Sequence, residues 1–249
     1  MVLQRTRLSG LAVAAGFLVA VHLVSGLTFV PLTASRKIVL LGCAAPLIGL
    51  LLDFAFKPTR AGIAVIAVVS GLASIWVFWS VLVQKELIEA LLLGGAASVF
   101  VAAVTAIGLS LAREPVCAGT AGLTLGLGTG ISAMFGASLL YALYGIGLGA
   151  GAGAYLLVQM VTGRKIFAGA TLMLPAALVS GLLGAGAMVL AELPWYALPA
   201  LALVPVATLV PLPEKMPVWQ QAFLRSGSAM IVAGIAFALT WHFAGYATS

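Results

Sequence analysis

Charged residues are scarce in this chain. Aspartate, glutamate, lysine and arginine together make up 7% of its 249 residues, whereas 63% are hydrophobic. Soluble domains contain about 25% charged and about 45–50% apolar residues. With a mean hydropathy of +1.22, this chain has too few charges to cover a water-exposed surface, which excludes a soluble globular class.

Histidine and cysteine are also rare, with two of each. No Ser/His/Asp arrangement, paired carboxylate or HExxH pattern occurs, so the sequence indicates no catalytic site, no metal site and no cofactor. An enzyme that uses Asp53 on a lipid substrate remains an open alternative. Cys43 and Cys117 are predicted to lie toward opposite membrane faces, which favours apolar packing over a disulfide.

Acidic residues are fewer than basic ones, which gives a net charge of +6 and a pI near 9.7. A basic protein of this kind is a candidate for nucleic-acid binding when its charges form a patch or stripe. Here the basic residues lie singly or in pairs between apolar segments. The pattern therefore excludes nucleic acid as a partner and is typical of membrane topology signals.

Long apolar runs are what the sequence has in abundance. The uncharged stretch from Pro115 to Gly163 is twice as long as one membrane span, which needs about 20 residues. Nine apolar blocks are apparent: Leu8–Val30, Ile38–Phe56, Ala61–Val83, Leu87–Leu111, Cys117–Ser138, Gly145–Thr162, Ile166–Ala191, Pro194–Leu212 and Gly227–Tyr246. The sequence therefore predicts an all-α, polytopic transmembrane helical bundle of about nine spans, forming a single integral domain over residues 1–249.

Two segments do not read as plain spans. The eighth block and its flanks are rich in proline, which removes helical hydrogen bonds and predicts a kinked or locally unwound helix. If this block does not cross the membrane, the count falls to eight spans. The stretch from Met216 to Arg225 mixes aromatic and polar residues, which predicts a short helix in the membrane interface.

The basic residues predict the orientation. If the N-terminus is cytoplasmic, nine lysines and arginines lie inside and three outside. The inner set is Arg5, Arg7, Lys57, Arg60, Arg113, Arg164, Lys165, Lys215 and Arg225, and the outer set is Arg36, Lys37 and Lys85. The positive-inside rule therefore places the N-terminus in the cytoplasm, and the Gly/Ala-rich, lysine-poor composition is typical of a multi-pass protein of a bacterial inner membrane.

Glycines repeat every four residues in the fifth and sixth blocks, at Gly122, Gly126 and Gly130 and at Gly145, Gly149 and Gly153. In lipid, helices associate through close backbone approach at small residues. The spacing predicts helix packing faces. The alternatives are a surface that slides during transport and a seam between copies of the chain.

Isolated ionisable residues inside apolar blocks are the next candidates, because lipid makes them costly unless they are paired or useful. Asp53 is predicted either to pair with Lys57 at the membrane boundary or to couple a proton or cation. His22 is predicted to pack through a hydrogen bond, to relay protons, to contact substrate or to bind haem. A haem held by His22 and His242 requires the first and last helices to be neighbours. Glu192 is predicted to lie in an outer loop, with a cation-entry site as the alternative.

These features favour a small-solute permease or the membrane component of a transporter. The candidate substrate or coupling-ion residues are Asp53, His22, Pro199, Pro205 and Glu192. The alternative is a non-catalytic integral subunit or assembly factor, whose partners are the lipid bilayer and copies of itself or other membrane subunits. A haem- or quinone-linked protein is a third option. Polar faces converging inside the bundle would favour a permease, and small-residue faces pointing outward would favour a subunit.

Overall fold

Nine α-helices follow one another in the computed structural model, which describes residues 8–26, 30–55, 59–135, 138–191, 193–213 and 216–244. No strand occurs within these ranges. The helices are α1 (Leu11–Val24), α2 (Ala34–Ala55), α3 (Arg60–Leu82), α4 (Leu87–Leu111), α5 (Pro115–Phe135), α6 (Leu139–Thr162), α7 (Gly169–Leu190), α8 (Ala197–Ala207) and α9 (Val218–Ala244). Each overlaps one predicted apolar block, so the all-α prediction is confirmed.

Seven of these helices, α2 to α7 and α9, are long and apolar enough to cross a membrane. The other two are shorter, with 14 residues in α1 and 11 in α8. At about 1.5 Å per residue, each covers only part of a hydrocarbon core about 30 Å thick. The protein is therefore a helical membrane bundle, with seven long apolar helices and two short ones among the described residues.

Helix α7 forms the centre of the bundle. Every residue from Gly169 to Val189 is buried, and the helix packs against α1 to α6 and α8. A helix that is apolar all round requires such enclosure, and the many glycines and alanines of α7 allow its neighbours to approach closely. Helix α9 lies outside this arrangement, against α5, α6 and α8.

Glycines of α6 allow the backbones of two helices, α5 and α1, to pack directly against it on opposite sides. A methyl group at Gly126 of α5 would lie 2.7 Å from the Cα of Gly149 on α6. On the other side, a methyl group at Gly16 of α1 would lie 2.8 Å from the Cα of Gly151. Residues four apart share a helix face whereas residues two apart do not. Gly149 and Gly151 are two residues apart, so they face different neighbours, α5 and α1.

The two ends of the bundle are distinguished by their hydrogen bonds. At the Asp53 end, the C-terminal turn of α2 meets the N-terminus of α7, and Gly169 N–H donates to Ala112 O over 3.2 Å. At the Tyr144 end, the phenol of Tyr144 on α6 lies 2.5 Å from the Ser25 hydroxyl after α1. The basic residues described near the Asp53 end are Arg60, Arg113, Arg164, Lys165 and Arg225, and those near the Tyr144 end are Arg36, Lys37 and Lys85.

Labelling of single cysteines tests the predicted orientation. In a background with Cys43 and Cys117 replaced by alanine, we expect Lys85→Cys to react with a membrane-impermeant maleimide in intact cells. Arg164→Cys should react only after permeabilisation, because both positions are exposed but lie at opposite ends. The reverse labelling pattern would place the N-terminus outside the cytoplasm.

The prediction of a separate interfacial helix from Met216 to Arg225 is wrong. Residues from Val218 onward form the first turns of α9, which continues unbroken to Ala244. Val218 and Ala222 are buried in a small cluster with Val116 of α5 and Leu156 of α6. This packing holds the segment against the bundle and makes it continuous with the last helix.

Candidate functional site at the central helix

Asp53 caps the central helix from another part of the chain. Its carboxylate accepts a hydrogen bond from Ala170 N–H over 2.8 Å at Oδ1. At Oδ2 it accepts two more, from Thr171 N–H over 2.9 Å and from the Thr171 hydroxyl over 2.7 Å. Asp53 is thus an N-terminal cap of α7 supplied by α2.

The cap is needed because the first turn of a helix leaves backbone N–H groups without internal partners. Ala170 and Thr171 are buried, so water does not solvate these donors. The carboxylate also lies at the positive end of the helix dipole, which favours a negative charge there. The predicted partner, Lys57, lies outside the described residues, and the acceptor role of Asp53 toward α7 was not foreseen.

Gly169 gives the chain the turn that brings α7 onto Asp53. Its φ of +68° lies in the left-handed region, which favours glycine. A side chain at this position would also collide with the Asp53 carboxylate. The conformation and the close approach therefore both require glycine at the start of α7.

Further hydrogen bonds hold the loop that enters α7. The Tyr155 hydroxyl donates to Ile166 O over 2.5 Å, and Ile166 N–H donates to the Gln159 side chain over 3.4 Å. The Ser9 hydroxyl, before α1, donates to Phe167 O. The Asp53 end of the central helix is therefore tied to α1, α2 and α6 by polar contacts.

Hydroxyl groups are the main buried polar side chains of the bundle. Among the described residues, the buried polar side chains are serines, threonines and two glutamines, none of them charged. Those of Thr120, Thr124 and Thr129 on α5 bond carbonyls of their own helix, the default expected for such residues. Three others make no hydrogen bond to any described group: Thr105 on α4, Ser132 on α5 and Ser180 on α7.

The predicted substrate and coupling residues do not form one site. Asp53 lies at one end of the bundle, whereas His22 is exposed in the last turn of α1 at the opposite end. Pro199 is exposed and Pro205 is buried, and α8 runs unbroken through both. Glu192 lies outside the described residues.

The non-helical stretch follows α8 instead of interrupting it. The chain leaves the helix after Ala207, where the Ser228 hydroxyl of α9 donates to Ala207 O over 2.8 Å. The Cys117 thiol of α5 donates to Thr208 O over 3.8 Å. Neighbouring helices thus satisfy carbonyls that the end of α8 leaves free inside the bundle.

The geometry gives no support to a haem held by two histidines. Helix α1 packs on α2, α6 and α7, whereas α9 packs on α5, α6 and α8. His22 and His242 are both exposed, and their helices do not form a packed pair. Among the residues that the structure describes, no three histidine, cysteine or acidic side chains are grouped to hold a metal ion.

An apolar groove of about 640 Å³ runs between α1 and α6 on the outside of the bundle. Small residues dominate its walls, including Ala15, Gly16, Gly147 and Ala150. The groove forms because glycine contacts bring the two helix axes close together. It is the outward-facing small-residue surface that a subunit of a larger complex would present.

Sequence reasoning did not single out Thr171, Gly169, Thr105 or Ser180. Signals for two of them were present. Thr105 and Ser180 are isolated hydroxyls within otherwise apolar stretches of α4 and α7. Which helix each of these hydroxyls faces depends on packing, which the sequence does not show.

The fold and the buried polar contacts define a polytopic, all-helical membrane protein. No protein-family model and no curated protein matches the chain. Its function is therefore inferred from its own geometry.

Proposed function

We propose that this protein is a permease for small solutes. The observation that supports the proposal is the convergence of interior polar groups on α7. Asp53 and Thr171 lie at its N-terminus, and Ser180, a buried hydroxyl without a hydrogen bond to any described group, lies further along it. Polar groups in membrane spans that face the bundle interior are typical of substrate pathways.

The glycine seams supply the second requirement of a permease, which is movement of helices against one another. Helix α7 is enclosed along its length, so passage of a solute requires its neighbours to shift. The seams at Gly126, Gly149, Gly16 and Gly151 bring backbones together without interlocking side chains. Such faces slide with little steric resistance, as alternating access requires.

The interior chemistry indicates the class of solute. Apart from the part-buried Asp53 carboxylate at one end of α7, the buried polar groups among the described residues are hydroxyls and amides without charge. Along the length of α7 they therefore offer hydrogen bonds but no counter-ion. A charged solute would lose its hydration without compensation. The solute is therefore expected to be small and uncharged.

Reconstituted liposomes test the proposal. We expect the purified protein to speed the volume change of liposomes, followed by light scattering, for one or more of water, urea and glycerol, but not for acetate or ammonium. Ser180→Val, which adds bulk inside the bundle, should slow this flux. Gly234→Val is the matched control, since Gly234 is exposed and has no atom within 4 Å of an added Cβ.

A non-catalytic integral subunit is the second candidate, and the groove between α1 and α6 favours it. If no probe solute equilibrates faster than in protein-free liposomes, the permease proposal is wrong. Mass spectrometry of the tagged protein purified from native membranes then becomes decisive. Stoichiometric recovery of another membrane protein would support the subunit function.

A further inference from the structure

Arg225 lies on the packed face of α9. Val218, Ala222 and Ala229, which share its helix face, are all buried. The Arg225 side chain therefore starts from the face of α9 that packs against the bundle. An arginine in such a position is costly within a membrane span unless its charge is paired.

The guanidinium of Arg225 carries a buried donor without an acceptor. Its Nε atom is shielded from solvent and makes no hydrogen bond to any described group. A guanidinium has five N–H donors and accepts no hydrogen bond itself. Burying a donor of a charged group without a partner costs more than burying a neutral one. An acceptor is therefore required at this position.

The charge around this donor is positive. The charges of Arg225 and Lys165 both act on the Cys117 thiol, which lies in the first turn of α5. The carboxylate of Glu114, an exposed residue, acts on the same thiol. Two cations, one from α9 and one from the loop before α7, therefore approach the start of α5 together with one acid. The excess of positive charge favours an anion as the acceptor.

The neighbouring surface of α9 favours a lipid as the source of that anion. Trp219 is 52% exposed and Phe223 is 72% exposed, and both lie within two turns before Arg225. Tryptophan is enriched where a membrane meets water. Helical side chains lean toward the N-terminus of their helix, so the guanidinium of Arg225 reaches back toward the level of Trp219. A lipid with its headgroup at this level can place its acyl chains along the exposed apolar side chains of α9.

We infer that Arg225, together with Lys165, binds the phosphate of an anionic lipid headgroup at the Asp53 end of the bundle. Two phosphate oxygens can accept from the Nε–H and an Nη–H of one arginine in parallel, and Lys165 adds a second positive charge. Basic pockets between membrane helices on the cytoplasmic side bind such headgroups, and the positive-inside pattern predicts that this end is cytoplasmic. The inference is independent of the proposed transport function.

Melting of the purified protein in a nonionic detergent tests the site. We expect added phosphatidylglycerol to raise the melting temperature by about 4 °C, because a ligand that binds only the folded state stabilises it. Phosphatidylcholine should leave it unchanged. Arg225→Gln should lose most of the phosphatidylglycerol shift, and Arg225→Lys, which keeps the charge but lacks the Nε–H, should retain part of it. Arg60→Gln is the matched control, since Arg60 is an exposed arginine at the same end, and it should retain the full shift.

Three results of this experiment would overturn the inference: an equal shift with phosphatidylcholine, a full shift in Arg225→Gln, or an equal loss in Arg60→Gln. Sodium phosphate at matched ionic strength separates the two sources of phosphate. If it gives the same shift, the bound group is the free ion and the lipid assignment is wrong. If Arg225→Gln is not recovered as folded protein, native mass spectrometry of the wild type decides. The wild type should retain phosphatidylglycerol in preference to phosphatidylcholine from an equal mixture, and the absence of a preference overturns the inference.

Glu214 is the competing acceptor from the same chain, and it lies outside the described residues. If it pairs with Arg225, Glu214→Gln should lower the melting temperature without lipid as far as Arg225→Gln does. Phosphatidylglycerol should then give the wild type no shift, and this pair of results overturns the inference. With a lipid as the acceptor, Glu214→Gln should keep the full phosphatidylglycerol shift.

Discussion

Replacing Asp53 with alanine is expected to lower the free energy of unfolding by about 2–4 kcal/mol, because three donors at the start of α7 lose their acceptor. Ala170 N–H and Thr171 N–H are buried, so water cannot replace the carboxylate without opening the bundle. Asp53→Asn should have an intermediate effect, since the amide retains one acceptor oxygen but presents a donor to the other N–H group. Denaturant titration in detergent micelles measures both changes.

Glu89→Ala provides a matched loss of a carboxylate. Glu89 pairs with Lys85 over 2.7 Å, but their side chains are 49% and 39% exposed. Surface pairs of this kind contribute about 0–1 kcal/mol. Hydrogen exchange at the Ala170 and Thr171 amides gives a second measurement, and it should accelerate only in the Asp53 variants. Equal destabilisation by Asp53→Ala and Glu89→Ala would show that the Asp53 hydrogen bonds stabilise the protein no more than a surface ion pair does.

Replacing Gly126 with alanine is expected to destabilise the bundle by about 3 kcal/mol, or to prevent recovery of folded protein. The new methyl group would lie 2.7 Å from Gly149 Cα and 2.9 Å from Gly145 O. These are backbone atoms of α6, so the conflict cannot be relieved by a side-chain rotation. The two helices must move apart, which loses packing along the whole seam. Yield and melting temperature after detergent purification measure the effect.

Gly234→Ala is the control for the intrinsic effect of alanine in a helix. Gly234 lies within α9 and has no atom within 4 Å of an added Cβ. The substitution should therefore raise stability by about 0.5–1 kcal/mol, because glycine loses more backbone freedom on folding. If Gly126→Ala also stabilises the protein, the close contact between α5 and α6 is wrong.

Sequence reasoning identified Asp53 as a candidate residue, but it did not identify the residues that Asp53 contacts. Asp53 was singled out as an ionisable residue near a span end, but its three hydrogen-bond donors are 117 and 118 residues away in the chain. A carboxylate placed next to a lysine in sequence predicts a local pair, and nothing local indicates a helix N-terminus that arrives from elsewhere. His22 falls within the first apolar block, Leu8–Val30. It lies in the last turn of α1, because that helix ends at Val24.

The sequence by itself determined that this is an all-helical membrane protein, and it located each of the nine helices found among the described residues. Hydrophobicity and charge act residue by residue, so the cost of placing each segment in lipid can be read without knowing its neighbours. It also indicated that the glycines are suited to close packing, since their spacing sets the helix face on which they lie.

The tertiary structure alone decided which helix is central and what its polar groups meet. Helices α4, α6 and α7 are all apolar and of similar length, yet α7 is the one enclosed on every side. In lipid, the choice of neighbours depends on shape complementarity and hydrogen bonds between segments, because hydrophobicity no longer distinguishes one helix face from another. The cap at Asp53 and the glycine contacts of α6 with α5 and α1 exist only after that choice has been made.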